Sequence, residues 1–475
     1  MLTDLDWLEI GKPFPLECAK NRLLRYREHR ELFEDKHEDV YREQFRRIER
    51  VIGNFSEIIS YATIVNYQKL ISLKTADLAF GRKPNITVAD DSKQKLIDSI
   101  VLDTQLFDKL YMSALDVSRY GDTVIMITSD GNIDVVAPAL WFPVVDKFNM
   151  RKFRYHVFGF TYIIDSRSKT YGLKVQIHNP ENPAECEERN YELQGNFTSG
   201  FKIQRDITDQ SKMKLQTHLD TCPVYRISNI ITSDRLFGID DYRSVDSLVS
   251  ELMVRISQIS KVLDKFAQPS MTGPHSAMEM DDLTGRWVLK IGDYFPRNSE
   301  SDPKPEYLTW DAGMDANFRQ TELIINQLYT ISEMGSALLG DLSNKTGDVP
   351  SGSALRRLMM SPLAKARRIT NRYDVPVKKM LSVLAKMRGA DIAPNEITIT
   401  WNDGLPGDPA EDAEIASIRT GGKPTLSQYT AIQRLDNMSQ SDTDTELEMI
   451  RADNIESSAG TMPGVEPESV LEEIL

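Results

Sequence analysis

Residues 353–388 read SALRRLMMSPLAKARRITNRYDVPVKKMLSVLAKMR, and they decide how the rest of the chain is read. Ten of these residues are Lys or Arg and Asp374 is the only acid, in a chain whose formal net charge is −14. A segment that opposes the bulk charge this strongly points to a polyanion or an acidic neighbour. At helical spacing Arg356, Arg357, Lys365, Arg367, Arg368, Arg372, Lys378, Lys379 and Lys386 fall on one half of the wheel. Leu358, Met359, Leu363, Ile369, Tyr373, Met380, Leu384 and Met387 fall on the other. The pattern predicts an amphipathic helix, kinked or broken at Pro362 and Pro376, where an amide donor is missing and the preceding turn is crowded. Its basic face has two readings, a solvated surface or a face turned toward nucleic acid.

On the N-terminal side, residues 340–352 read GDLSNKTGDVPSG, whose glycines, proline and small polar residues describe a mobile loop. Ser351 or Ser353 is the candidate cap of the basic helix. A helix is expected before that loop, from Asp315 to Leu339, with the stripe Ile324, Leu328, Ile331, Gly335 and Leu338, in which Gly335 would allow close approach. Its counterpart is expected from Asp240 to Pro269, with the stripe Val245, Leu248, Leu252, Ile256, Ile259, Leu263 and Phe266. Stripes this narrow suit a coiled-coil-like seam. Between them, residues 269–312 are rich in Pro and Gly around the strand-like runs WVLKIG and EYLTW. Two long helices with a compact β-containing tip make a hairpin.

Further upstream, residues 17–50 are dense in both charges and predict one or two exposed helices. Helices are also expected from Ile58 to Phe80, stopping at Gly81, and from Asp91 to Arg119, stopping near Gly121. Residues 122–227 are rich in Val, Ile, Thr, Tyr and Phe, and Asp130-Gly131 is a hairpin signal, so an antiparallel β region packed on the preceding helices is expected. Downstream, Ile397, Ile399 and Trp401 alternate as in a strand; an acidic helix starts at Ala410, and shorter helices follow near Ser427–Leu435 and Thr443–Asp453. Residues 455–475 carry five Glu and no Lys or Arg, and a disordered tail is expected there until a partner binds.

Composition bounds the function. The chain has 475 residues, enough for two or three domains. No apolar run approaches the roughly 20 residues that span a bilayer, and MLTDLDWLEIGK does not read as a secretory signal, so a cytoplasmic setting is expected. Cys18, Cys186 and Cys222 fit neither a disulfide framework nor a zinc site. Gly421-Gly422-Lys423 is followed by Pro424 and makes no phosphate loop; Asp442, Asp444 and Glu446 lack the glycine and closing Glu of a calcium loop. No catalytic residue, metal set or cofactor is expected.

The order of parts resembles the portal proteins of tailed bacteriophages, particularly long-tailed, siphovirus-like ones. The resemblance runs over about residues 50–455 and rests on three stretches: CPVYRISNIITSDRLFGIDDYRSVDSLVSEL, GDVPSGSALRRLMMSPLAKA and EITITWNDGLPGDPAEDAE. It implies an α+β, mainly helical portal fold. Its parts would be a wing over 1–239 and stem helices at 240–268 and 313–339, around a clip at 269–312. A tunnel loop at 340–352, a kinked basic helix and wing strand at 353–402, a crown at 403–455 and a tail at 456–475 would follow. The resemblance implies a ring of about twelve copies at one capsid vertex, a channel for packaging and ejecting double-stranded DNA. Partners would be the chain itself, DNA, the terminase large subunit, a head-completion or neck adaptor protein, and capsid and scaffold proteins, with no membrane. It would be assembled in the host cytoplasm and located in the virion.

Within that picture Asp341, Asn344, Lys345, Thr346 and Asp348 belong to the tunnel loop, and the two acids nearly cancel Lys345. Stem packing falls to Leu248, Leu252, Ile256, Ile259, Leu263, Ile324, Leu328 and Ile331. The basic face, Arg356, Arg357, Lys365, Arg367, Arg368, Arg372, Lys378 and Lys379, meets either DNA or a neighbouring copy. Two other functions stay open: a cytoplasmic oligomeric scaffold, and a nucleic-acid-processing enzyme with an unrecognised active site.

Overall fold

The computed structural model describes residues 2–45, 62–165, 167, 170–196, 200–211, 213–217, 219–267, 271–272, 278–281, 286–289, 306–307, 314–338, 357–402, 409–421, 424–435, 438 and 440–459. Helices α1 (Glu17–Phe33) and α2 (His37–Val40) come from the charge-dense start. They are not simply exposed: Tyr26, His29, Leu32 and His37 are buried. The reason is polar anchoring among the apolar contacts. His29 Nδ1 lies 2.6 Å from Arg119 O, and the Arg119 guanidinium lies over the Phe33 ring at 4.8 Å.

Helix α3 (Tyr67–Phe80) starts later than the pattern suggested, capped by Asn66, whose side chain accepts from Lys69 N. The expected start, Ile58, lies outside the described residues. The single helix expected from Asp91 to Arg119 is two, α4 (Asp91–Asp103) and α5 (Leu106–Tyr120). The break is at Thr104 and Gln105, where Thr104 Oγ1 donates to Ile100 O (2.7 Å) and Gln105 takes φ +51°. An unbroken helix would turn Leu106 about 240° from Ile100 at 100° per residue. The break lets Ile97, Ile100, Leu106 and Leu110 all reach one core, each fully buried.

The β region holds two sheets. Strands β3 (Asp122–Ile127), β4 (Ile133–Val136) and β11 (Val224–Ser228) form a three-stranded sheet in the order β11-β3-β4, with Gly131 at φ +77° turning the hairpin. The larger sheet is built from β1 (Pro13–Phe14), β5 (Trp141–Val145), β6 (Phe153–Asp165), β7 (Thr170–His178), β8 (Glu185–Asn196), β9 (Gly200–Asp206) and β10 (Lys214–Gln216). It is seven-stranded and antiparallel in the order β1-β9-β8-β7-β6-β5, with β10 also on β8. Its buried face packs Phe142, Val157, Val175 and Tyr191 against Trp7, Phe14 and Ala19 near the N-terminus. The smaller sheet shares its core with α4, α5 and the basic helix.

Helix α6 (Asp246–Ala267) and helix α7 (Met314–Ile331) pack side by side through Val249, Met253 and Leu328. Both are shorter than expected. The first begins only after residues 240–245. The second ends at Ile331 because Glu333 (φ +62°) and Gly335 (φ +67°) turn the chain into the short α8 (Gly335–Leu338). Gly335 is therefore a turn residue and not a point of close helix approach. Between the two helices, β12 (Met271–Thr272) pairs with β15 (Glu306–Tyr307), and β13 (Met278–Asp281) pairs with β14 (Arg286–Leu289).

Helix α9 (Met360–Met387) follows, then β16 (Thr398–Thr400), which pairs with β2 (Asn85–Thr87) and buries Ile397 and Ile399. The C-terminal helices are α10 (Pro409–Thr420), α11 (Gln428–Leu435) and α12 (Gln440–Ala459). Helix α12 carries regular backbone to Ala459, into the stretch expected to be disordered; residues 460–475 lie outside the described residues.

Candidate functional site

Helix α9 is both a core element and the most basic surface of the chain. Ile369, Tyr373, Val377, Met380, Leu381 and Leu384 are at most 2% exposed. Tyr373 packs edge-on against Phe80 at 4.8 Å, and its hydroxyl pairs with Ser113 Oγ at 2.9 Å. Burial pushes the phenol well above its ordinary range. The helix is not broken at either proline. Pro362 sits in the first turn, where an amide has no intrahelical acceptor anyway. Pro376 is in the helix interior, where it costs about 3 kcal/mol, and the buried apolar side chains before and after it offset that cost. Neither Ser351 nor Ser353 caps α9: the N-cap is Met359, with no side-chain cap, and both serines lie outside the described residues.

The expected basic face divides into three groups. Lys365 turns inward. It is 3% exposed, and its Nζ lies 3.1 Å from Asp241 Oδ2 and 3.2 Å from Ser332 O. It leaves the exposed face. Three more are tied to acids of the same chain, Arg368 to Glu333, Lys378 to Asp374 (2.8 Å) and Lys386 to Asp220, as is Arg388 beyond the expected face, to Asp103 (2.6 Å). Arg357, Arg367, Arg372 and Lys379 are exposed and make no ion pair among the described residues. The last three lie within about 140° of an ideal helix, so they share one solvent face. Arg356 and the residues expected in the tunnel loop, Asp341, Asn344, Lys345, Thr346 and Asp348, lie outside the described residues.

The stripes expected to pack the stem divide as well. Leu252 and Leu328 are fully buried and Ile324 nearly so; Leu248, Ile256 and Ile259 are half-buried; Leu263 and Ile331 stay 51% and 43% exposed. Toward the start of α6, burial widens to Val249, Met253 and Val254, so the helix packs there on a broad face and not on a seam.

Sequence reading missed three buried carboxylates, of which Asp241 joins α9 to the segment leading into α6. Asp241 receives Ser118 Oγ (2.7 Å) and Asn229 Nδ2 (2.9 Å) besides Lys365. Asp246 receives Tyr41 Oη (2.9 Å) and Gln68 Nε2 (3.2 Å), and burial raises its carboxyl. Asp122 receives Ser228 Oγ (2.7 Å) and Gly238 N (2.8 Å) and pairs with Arg226 at 2.9 Å; burial raises its carboxyl against that partner. For Asp241 and Asp246 the signal available was the run of acids in IDDYRSVD, just after Gly238; Asp122 lies far upstream of it. Gly238 and Gly121 meet backbone to backbone: a Cβ on Gly238 would lie 2.0 Å from Gly121 O.

Among solved structures, the chain is similar to a chain in the virion of a native gene transfer agent particle (12% identity, 78% of this chain and 88% of that chain, TM-score 0.44). It is also similar to a chain in the neck of an empty particle of that agent (12% identity, 78% and 90%, TM-score 0.45). No curated protein matches it. The model of the family described as "Phage portal protein, SPP1 Gp6-like" matches residues 20–459. By that match over most of its length, the chain belongs to the SPP1 Gp6-like family of phage portal proteins.

Proposed function

We propose that this chain is the subunit of a portal ring of about twelve copies at one capsid vertex, through which double-stranded DNA enters and leaves. The observation that carries this reading is the family match across residues 20–459. The family is structural, and no helix of the described residues is long and apolar enough to cross a membrane. The described elements support the assignment of parts: α6 and α7 as the stem, the paired short strands between them as the clip, residues 1–239 as most of the wing, and residues 403–455 as the crown. Residues 340–352 are assigned to the tunnel loop.

The half-exposed Leu263 and Ile331 suit packing between copies, since a cyclic ring repeats one heterologous contact. A ring surface that guides DNA must hold phosphate weakly, through sparse Lys and Arg and without base contacts. Arg357, Arg367, Arg372 and Lys379 suit that task or the acids of a neighbouring copy; Lys365 does not. A net charge of −14 per copy repels phosphate over the remaining surface. The terminase large subunit, a neck adaptor, and capsid and scaffold proteins are the proposed partners, with assembly in the host cytoplasm and a final place in the virion. Negative-stain images of the purified chain test the reading: rings with a central channel support it, and single-copy globules at micromolar concentration refute it.

A further inference from the structure

A cleft of about 420 Å³ opens between α1, β5 and the loop before Gly238. It is far larger than the ~30 Å³ that one water occupies. Phe142, Pro143, Leu236 and Phe237 give it apolar walls. Arg22, Arg25 and Arg235 also line it. Among the described residues these three cations have one ion-pair partner, Asp240, which faces Arg25. Arg22 donates to two backbone carbonyls, Pro138 O (3.1 Å) and Trp141 O (3.0 Å), and stacks over Phe237 at 4.4 Å. Arg25 Nε is buried without a hydrogen-bond partner, and the carboxylate it faces, Asp240 Oδ2, is 3.8 Å away. Asp240 accepts from Arg243 N at 2.8 Å through its other oxygen. Arg235 forms no ion pair among the described residues, and the carboxylate of its neighbour Asp234 is taken by Thr232 Oγ1.

A buried N–H without an acceptor is destabilising until a ligand supplies one. Guanidinium groups beside aromatic walls suit a ligand that brings a carboxylate and an apolar side chain together. The chain contains such a segment. Residues 460–475, outside the described residues, read GTMPGVEPESVLEEIL, with Glu466, Glu468, Glu472 and Glu473, no Lys or Arg, and Val470, Leu471 and Ile474 interleaved. We propose that the cleft lined by Arg22, Arg25 and Arg235 is a docking site for this acidic, apolar C-terminal segment, from the same copy or a neighbouring one. Charge complementarity selects the segment, and the apolar walls select its register. The proposal does not rest on the portal reading.

Cys18 lines the cleft and is exposed, which supplies a reporter in the full chain. The tail is given single cysteines, V465C, S469C and E472C in separate proteins, and oxidised with glutathione disulfide. The expected result is a Cys18–tail disulfide from at least one position, identified by mass spectrometry. Its yield should fall about tenfold per charged pair removed when E466K, E468K or E473K is added, or when Arg235 is changed to Glu. In the chain without an added cysteine, N-ethylmaleimide should label Cys18 faster once E472K and E473K are introduced. Those tail variants leave the body of the protein untouched, so a folding defect of R235E does not remove the test. Equal yields with and without the charge reversals, or no Cys18 adduct together with unchanged Cys18 labelling, would overturn the proposal.

Discussion

Replacing Lys365 with Met tests whether α9 holds the segment that leads into α6 and the end of α7 by a buried charge. Lys365 Nζ and Asp241 Oδ2 are 3.1 Å apart and their side chains are 3% and 7% exposed. At an effective dielectric of 20 the bare attraction at that distance is about 5 kcal/mol. Desolvation cancels much of it in the intact pair, but removing one partner leaves a buried charge uncompensated and typically costs ~3–5 kcal/mol. Asp241 would keep Ser118 Oγ and Asn229 Nδ2 as donors, which places the loss near 3 kcal/mol. A chain of 475 residues need not unfold in one step. The appropriate assay is therefore hydrogen–deuterium exchange over residues 236–246 and 360–370, which reads local opening. Protection there should drop by about two orders of magnitude. Adding Asp241→Asn should restore much of it, giving a coupling of about 2 kcal/mol in the double-mutant cycle. Arg368→Met removes the half-exposed pair with Glu333 and should cost at most ~1 kcal/mol. A change below threefold for K365M, or strict additivity in the cycle, would refute the clamp.

Exchanging Arg367, Arg372 and Lys379 for Gln should reduce the salt slope of association with random-sequence duplex by about 0.9 for each phosphate no longer neutralised, read by fluorescence anisotropy between 50 and 200 mM salt; an unchanged slope assigns these cations to protein partners. His156 and His178 are buried, and desolvation lowers them to about 3 and about 4. Their unfolded value is about 6.5, so the unfolded chain binds more protons below it. Stability is then full above about pH 6.5 and falls as pH drops toward 4, by up to ~2.7 kcal/mol per pH unit for the two rings together. Urea midpoints across pH 5–7.5 check this, and His178→Gln should remove about half of the histidine part of the slope. Gly238→Ala would drive a Cβ into Gly121 O and should cost more than ~3 kcal/mol. Gly389→Ala, with open space but φ +86°, should cost only ~1–2 kcal/mol, both read by thermal melts.

Much of the architecture was legible because its signals are local. Asp130-Gly131 turns the β3–β4 hairpin, and Ile397, Ile399 and Trp401 share the inner side of a strand, as short-range chemistry requires. The misreadings came from distant parts of the chain. Nothing near Gln105 announces a left-handed residue; it is set by the core that Ile97, Ile100, Leu106 and Leu110 fill together. Helix α1 looked solvated because its inward residues include His29 and Tyr26, which count as polar until their partners across the fold are known. Ser72, Ser118 and Ser257 are fully buried for the same reason, their hydroxyls bonded to Tyr242, Asp241 and Met253 O.

The basic face shows why a helical wheel reaches only so far. Lys365 and Arg372 fall about 20° apart on an ideal helix, yet Lys365 is buried and Arg372 is exposed. What separates them is position along the axis. The first turns of α9 lie under Ser332, Gly335 and Asp241, where α7 ends and the chain enters α6, while Arg372 lies beyond that cover. Charge alone therefore gave the face its sign. The chain's own acids then divide its members: Lys365 and Arg368 are held where α7 ends and the chain enters α6, whereas Arg367, Arg372 and Lys379 make no ion pair among the described residues. A ligand read from wheel geometry would include the wrong lysine; one read from the pairing pattern begins at Arg367.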